Sequence, residues 1–278
     1  MKTYKSVVSK FFPQGARLGD FLTKLTNLTT AELSDAAAKG AVWVQRRGKG
    51  KILRIRNLQE RVSQEDIIQL FYDPKVLKLP EVSQLEAVFE SSHYGVWIKP
   101  AGVVPQGSQA GDHASVLRYV EKAKKKEVYL VHRLDRETLG LMLVAYDSKA
   151  AALLSHFFLK NEIKKEYEAI VLGEMEIGHK ETIKASLDDK EAITHIEVLD
   201  SKNNRSHLRV MIETGRLHQI RRHLDFIGHP VMGDPKYGKG NKNREGLKLV
   251  ASSLSFTDPW SLKVQTFSLD PVLGLNSL

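Results

Sequence analysis

Apolar positions in the first eighty residues repeat first at a helical and then at a strand period. Leu18, Phe21, Leu22 and Leu25 share one helix face, and Asn27-Leu28-Thr29 interrupts them. Thr29-x-x-Glu32 then has the form of a capping box opening a second helix. That helix runs through residues 36–38 and is expected to stop at Gly40, where a left-handed backbone costs little. Residues 42–44 read as a short strand, Arg46-Arg47-Gly48-Lys49-Gly50-Lys51 as a basic turn, and residues 52–56 and 67–71 as further strands. Residues 74–80 place Pro74, Pro80 and two lysines between apolar residues with no clear period, the pattern of a linker. Beyond residue 85, strand-like runs alternate with loops and a few helices. Val96-Trp97-Ile98 leads into Lys99-Pro100-Ala101-Gly102, and residues 128–131 and 139–145 are apolar runs flanking a charged loop. Ser148 is placed to cap a helix reaching about residue 160, residues 167–171 and 208–212 read as strands, and residues 218–227 as a helix. The mixture predicts an α+β fold with a mixed, largely antiparallel sheet and flanking helices. A small α/β module is expected over residues 1–74, a linker over 75–84 and the main body over 85–278.

Composition adds exclusions. At 278 residues and 42% hydrophobic, the chain suits a globular protein. It has no cysteine, which removes disulfide scaffolds, Cys-ligated zinc, iron–sulfur clusters and thiol catalysis. No apolar run approaches the roughly 18–20 residues of a membrane span. The start, Met1-Lys2-Thr3-Tyr4-Lys5, lacks the apolar stretch of a secretory signal, so a cytoplasmic location is expected. The net charge of +9 is unevenly placed: residues 1–80 hold 15 Lys+Arg against 7 Asp+Glu, and the other 198 hold 27 against 26. A polyanion-binding module joined to a nearly neutral body is the expectation. Helix, helix, strand, basic turn and closing strands resemble a degenerate S4 RNA-binding module. Arg17 and Leu18, Gly40-x-Val42-x-Val44 and Asp66-Ile67-Ile68 carry the resemblance, while Gln45 replaces the usual asparagine. It implies RNA contacts from Arg17, Arg46, Arg47, Lys49 and Lys51.

Two segments concentrate chemistry. Val131-His132-Arg133-Leu134-Asp135-Arg136-Glu137-Thr138-Leu139-Gly140 sets ionisable groups between two apolar runs. On spacing alone, a rigidly held reactive loop and an ordinary charged turn fit equally well. In Glu213-Thr214-Gly215-Arg216-Leu217-His218-Gln219-Ile220-Arg221-Arg222-His223, a turn leads into a helix whose start concentrates donors from Arg216, His218 and Arg221. His218 and His223 lie five apart, on different helix faces, and no metal is expected. Residues 233–240 lack the spacing of a phosphate-binding loop.

Taken in order, five motifs resemble the RluA branch of the RNA pseudouridine synthases. They are Lys99–Gly102, His132–Gly140, Lys165-x-Tyr167-x-Ala169, Thr214–His223 and Gly228–Gly238, within about residues 85–270. The resemblance implies an isomerase that breaks the N1–C1′ bond of uridine and rejoins C5 to C1′, with no cofactor. Asp135 is then the carboxylate acting at the sugar, either on C1′ or on the 2′ proton. Tyr167 stacks on the base and is available as a proton acceptor, and Arg221 pairs with Asp135 and keeps it ionised. RNA contacts are expected from Arg133, which can fill the gap left by a flipped nucleotide, and from His132, Arg216, His218, Gln219 and Lys99. Basic stretches at 122–126 and 236–248 are further candidates. Leu139 and Val250 depart from the family pattern, which has Ser and His there. The expected partner is structured RNA, ribosomal large-subunit RNA ahead of transfer RNA, bound by a monomer. The alternative is a non-catalytic RNA-binding or ribosome-assembly protein retaining the fold.

Overall fold

The computed structural model describes residues 1–13, 15–269 and Leu275. The last stretch of the expected 85–278 body, residues 270–274 and 276–278, lies outside the described residues. The chain divides into two compact units, Met1–Ser83 with Gln106–Ala123, and Gln84–Pro105 with Lys124–Leu278.

The first unit opens with β1 (Lys2–Val7), α1 (Leu18–Leu25), α2 (Thr30–Ala38) and β2 (Val42–Gln45). It continues through β3 (Ile52–Ile55), β4 (Ile67–Tyr72) and the single turn α3 (Pro74–Leu77). The capping box forms: Glu32 N–H donates to Thr29 Oγ1 at 3.2 Å, and Thr29 N–H to Glu32 Oε2 at 2.8 Å. Gly40 follows α2 at φ 86°, as its position at the helix end requires. The four strands form an antiparallel sheet in the order β1-β4-β2-β3. Its apolar side joins Leu18, Leu22, Leu33, Ala36, Val42, Val44, Ile68 and Leu70 in one core. Strand β1 has no counterpart in the sequence reading, because this edge strand buries none of its residues fully and leaves no clear apolar alternation. The stretch that reads as a linker begins as α3. Asp73 accepts from Lys75 N–H at 3.0 Å, Pro74 occupies the first turn, and Leu77 is buried.

Residues 106–123 return to this unit. Asp112 accepts from Arg56 Nη2 at 2.6 Å and pairs with Arg54. The Arg54 guanidinium lies 4.3 Å from the Trp43 ring centroid, and Trp43 Nε1 donates to the Gln109 carbonyl at 2.9 Å.

The second unit contains β5 (Ala87–Glu90) and β6 (Tyr94–Lys99); α4 (Val116–Lys124) then carries the chain back into it. There follow β7 (Tyr129–Leu130), β8 (Leu139–Ala145), α5 (Ser148–Leu159), β9 (Lys164–Leu172), β10 (Lys180–Lys184) and β11 (Ile193–Lys202). The remaining elements are β12 (Arg205–Ile212), α6 (Gln219–Phe226), β13 (Leu249–Thr257) and β14 (Val264–Ser268). They build one sheet in the order β10-β11-β12-β9-β13-β8-β6-β5, with β14 on β13 and β7 on β8. The β8–β13 pairing is parallel and the other pairings are antiparallel. Tyr94, Val96, Leu141, Leu143, Leu154 and Phe256 are buried together between this sheet and α5. The cap of α5 is Asp147, whose Oδ1 accepts from Ala150 N–H at 2.8 Å, so Ser148 is the first helical residue and not the cap.

Candidate active site

One rung of the large sheet organises the site. Tyr167 of β9 is paired with Ala251 of β13, and Ala251 with Gly140 of β8. Neighbouring strands lie about 4.8 Å apart, so Tyr167 and the loop preceding β8 are held about 10 Å apart by backbone pairing. Gly140 has φ 137°, and a Cβ there would stand 2.4 Å from the Ala251 carbonyl oxygen. The charged loop is therefore tied to a junction that tolerates no side chain.

Lys99 anchors that loop from below. Fully buried, it donates to the carbonyls of Pro100 and Val103 at 2.8 Å each and of Arg136 at 3.0 Å. Three N–H donors meet three acceptors. Burial lowers its pKa to about 7, against the opposing pull of Glu137 and Asp135.

Helix α6 brings the cation. Its start is knitted to β11 by Gln219, whose Oε1 accepts from Thr214 Oγ1 at 2.7 Å and Arg216 N–H at 3.1 Å. Gln219 Nε2 donates to the Ile193 carbonyl at 2.9 Å and to Thr194 Oγ1 at 3.0 Å. His218 takes a left-handed conformation at φ 53° before the first helical residue, a strained backbone that the turn imposes. Arg221, 1% exposed, then reaches Asp135 Oδ2 through Nη1 at 3.1 Å. Its other edge grips Asp234 as a fork, Nε to Oδ2 at 2.7 Å and Nη2 to Oδ1 at 2.8 Å. Asp234 also accepts from the N–H groups of Lys236 and Tyr237. Burial raises the Asp234 pKa, but Arg221 and these two backbone donors outweigh it and hold the carboxyl below its ordinary range. For Arg221 too, burial opposes the charge, and Asp234 and Asp135 more than restore it. Glu137 Oε2 lies 3.6 Å from the same Nη1.

A cavity of about 790 Å³ opens over these groups and is lined by Arg133, Asp135, Tyr167, Arg216, His218 and Arg221, among others. Burial, reinforced by the Asp135 charge, raises the Tyr167 pKa well above that of a free phenol, so the ring is a neutral phenol at physiological pH. His218 Nδ1 is 3.1 Å from the Tyr237 hydroxyl, and desolvation outweighs Asp135 to lower its pKa.

Four of the residues expected to contact RNA have internal partners. Lys99 is buried on backbone carbonyls and presents no ammonium to a phosphate. His132 stacks on Phe158 at 4.4 Å and accepts from Leu143 N–H at 2.9 Å; desolvation lowers its pKa to about 3. Gln219, at 3% exposure, has its amide engaged at both ends. Arg46 pairs with Asp66 at 2.8 Å and Glu60 at 3.0 Å, whereas Arg17, Arg47, Lys49 and Lys51 are exposed. Lys99, His132, Gln219 and Arg46 thus spend polar atoms on internal partners, although His132 and Gln219 also line the cavity and the Arg46 side chain stays partly exposed. Conversely, Asp234 escaped the sequence reading: within Gly233-Asp234-Pro235 it looks like turn chemistry. The segment around it was itself a motif, which was the available signal. Leu139 and Val250 prove to be register partners in the parallel β8–β13 pairing, within an apolar cluster with Ile170 and Met232. The two departures from the family pattern are thus one coupled apolar contact. Among the described residues no group of three or more His, Asp or Glu is placed to hold a metal ion. His223 is bonded to Thr194 Oγ1 and the Ala185 carbonyl.

A family model described as RNA pseudouridylate synthase matches residues 93–226, which include Asp135, Tyr167 and Arg221. Ribosomal large subunit pseudouridine synthase D of Pseudomonas aeruginosa is 34% identical over 208 residues, covering 68% of this chain and 64% of that protein. The protein of the same name from Zymomonas mobilis is 32% identical over 223 residues, covering 69% and 70%. The match spans less than two thirds of the first of these relatives and about half, 51%, of the Nitrosomonas europaea protein of that name. Among solved structures, Human RNA Pseudouridylate Synthase Domain Containing 1 superposes with a TM-score of 0.58 at 21% identity, covering 69% of this chain and 86% of that one. Human RNA Pseudouridylate Synthase Domain Containing 4 gives 0.55 at 22%, covering 68% and 92%. These two show a shared fold.

Proposed function

The chain belongs to the RluA-type family of RNA pseudouridine synthases, and from that premise we propose that it isomerises uridine to pseudouridine in ribosomal large-subunit RNA. The observation that carries the reading is Asp135 at the cavity, paired with a buried Arg221 that Asp234 fixes from behind. The reaction breaks N1–C1′, turns the uracil, joins C5 to C1′, removes the C5 proton and protonates N1. Atoms and electrons balance within the substrate, so no redox or phosphate donor enters. Asp135 supplies the carboxylate at the sugar, and Arg221 fixes its position. Tyr167 supplies a flat face for the base; as a neutral phenol it is a hydrogen-bond donor rather than a resident base. The target uridine must leave its stack to reach Asp135, and the exposure of Arg133 at the cavity supports a role in filling the vacated space.

The excess of 15 Lys+Arg over 7 Asp+Glu in residues 1–80 and the helix–helix–strand–basic-turn order support an S4-like RNA-binding role for residues 1–74, joined through 75–84 to the catalytic body 85–278. Arg17, Arg47, Lys49 and Lys51 are its candidate contacts. The relatives' names support ribosomal over transfer RNA. Among the described residues no helix is long and apolar enough to cross a membrane, and a cytoplasmic monomer working without metal or cofactor completes the proposal.

Tritium release from RNA labelled at uridine C5 tests the activity, and mapping pseudouridines in a deletion strain identifies the position. Asp135→Asn is expected to abolish release while RNA affinity stays within a few-fold. Near wild-type turnover in that variant overturns the assignment of Asp135. RNA binding with no release by the unaltered protein favours the non-catalytic alternative.

A further inference from the structure

Strand β9 separates its charges by face. Side chains alternate along a strand, so Glu166 and Glu168 share one side and Lys165 and Tyr167 the other. The first side is internally matched: Glu168 meets His207 at 2.7 Å and Glu166 meets Arg209 at 3.9 Å. On the second side, Lys165 lines the same cavity as Tyr167 and Asp135, with Nζ 5.9 Å from the Phe158 ring centroid. Among the described residues its ammonium has neither an ion-pair nor a hydrogen-bond partner. Burial lowers its pKa, with no carboxylate opposing the shift. His132, which lies near enough for Lys165 to depress its pKa, is neutral and supplies no counter-charge.

A partly desolvated cation without an anion is costly, and proteins keep one where a ligand provides the missing charge. The Asp135 carboxylate is already bonded to Arg221, and Glu137 lies beside the same guanidinium. A phosphodiester is the anion that RNA brings, and a cavity of about 790 Å³ has room for a whole nucleotide. We propose that Lys165 binds the backbone phosphate of the uridine held in the cavity, placing its sugar between Asp135 and Tyr167. Lys165 is thus a substrate-binding residue, distinct from the groups acting on the glycosidic bond. The inference rests on the activity proposed above.

The probe is a synthetic stem-loop RNA carrying the uridine mapped in the deletion strain, assayed by single-turnover tritium release with the full chain. Lys165→Gln is expected to raise the half-saturating RNA concentration about tenfold, as for loss of a charge-assisted bond. The rate at saturation should stay within about threefold, and the slope of log affinity against log salt should fall by about 0.7. Lys165→Arg should restore most of the affinity. A methylphosphonate at the phosphates flanking the target should weaken binding to the unaltered protein but not to Lys165→Gln. A fall in saturated rate with affinity and slope unchanged overturns the proposal, since Lys165 would then act on the base. So does an unchanged variant. Should Lys165→Gln fail to fold, the methylphosphonate RNA decides alone: binding as tight as that of natural RNA overturns it. Absence of tritium release by the unaltered protein defeats the activity reading instead, and the two binding comparisons still judge Lys165.

Discussion

Arg221 is held by carboxylates on two sides, and the two have different work. Asp135 faces the cavity; Asp234 is fully enclosed and takes the guanidinium fork through both oxygens. Removing one partner of a buried pair costs about 3–5 kcal/mol. Asp234→Asn should fall near the lower end, because Asp135 and Glu137 remain beside Arg221. We expect about 3 kcal/mol lost in urea denaturation and at least a tenfold drop in tritium release, as Asp135 loses a fixed counter-ion. The pH dependence has a definite sign. The folded Asp234 pKa is depressed, so its stabilisation is present above the unfolded value of about 3.9 and is lost as pH falls through the lower folded value. The stability gap between wild type and Asp234→Asn should therefore narrow below about pH 4; a gap that widens there contradicts the clamp. Asp135, Tyr167 and Arg221 were singled out only through the resemblance of their motifs to a known family, since on spacing alone the Asp135 loop also fits an ordinary charged turn. Asp234 was not, since its meaning depends on an arginine in another element. The internal bonds of Lys99, His132 and Gln219 were not legible either. Their partners are backbone groups and hydroxyls that a sequence cannot show to be near.

At the scale of elements, local signals were legible and long-range pairings were not. The Thr29–Glu32 box and Gly40 bound α2 because capping is settled within a few residues. The parallel contact of β8 with β13 joins strands more than a hundred residues apart, and nothing local announces it. Strands β1, β5, β10, β11, β13 and β14 also escaped, and of these β1, β10 and β14 read as polar sequence with few buried positions. Gly140 is where the hidden pairing makes a sharp demand. It combines φ 137° with so little room that an added Cβ would stand 2.4 and 2.5 Å from the Ala251 carbonyl oxygen and nitrogen, both backbone atoms that cannot swing aside. Gly140→Ala must therefore separate β8 from β13 and shift the loop that carries Asp135. We expect more than about 3 kcal/mol of destabilisation or an insoluble product. Any folded fraction should release tritium at least a hundredfold more slowly. A folded, active Gly140→Ala would show that the junction is more compliant than its packing indicates.

For the molecule as a whole, the charge count overstates the surface available to RNA. Of the 15 Lys+Arg in residues 1–80, Lys39 pairs with Asp35, Arg46 with Glu60 and Asp66, and Arg54 and Arg56 with Asp112. Asp112 belongs to residues 106–123, which follow the first strands of the second unit in sequence yet pack with the first. Cutting the chain at residue 80 would therefore strip Asp112 of both arginines and Gln109 of Trp43, confounding lost phosphate contacts with lost structure. Neutralising exposed cations in place is the cleaner experiment. In the triple variant Arg17→Gln/Arg47→Gln/Lys49→Gln, all three side chains are exposed, so stability should change by no more than about 0.5 kcal/mol per site. If these residues meet phosphates, the slope of log affinity against log salt should fall by about 2, at roughly 0.7 per contact on unpaired RNA. Single-turnover release from a short stem-loop, saturated with enzyme, should be unaffected. Arg46→Gln supplies the contrast: its charge is already matched, so it should lower the unfolding midpoint while leaving the salt slope nearly unchanged. A triple variant with an unaltered slope would move the electrostatic footprint off the first unit, leaving exposed Arg133 and the basic stretch 236–248 as the places to look for it.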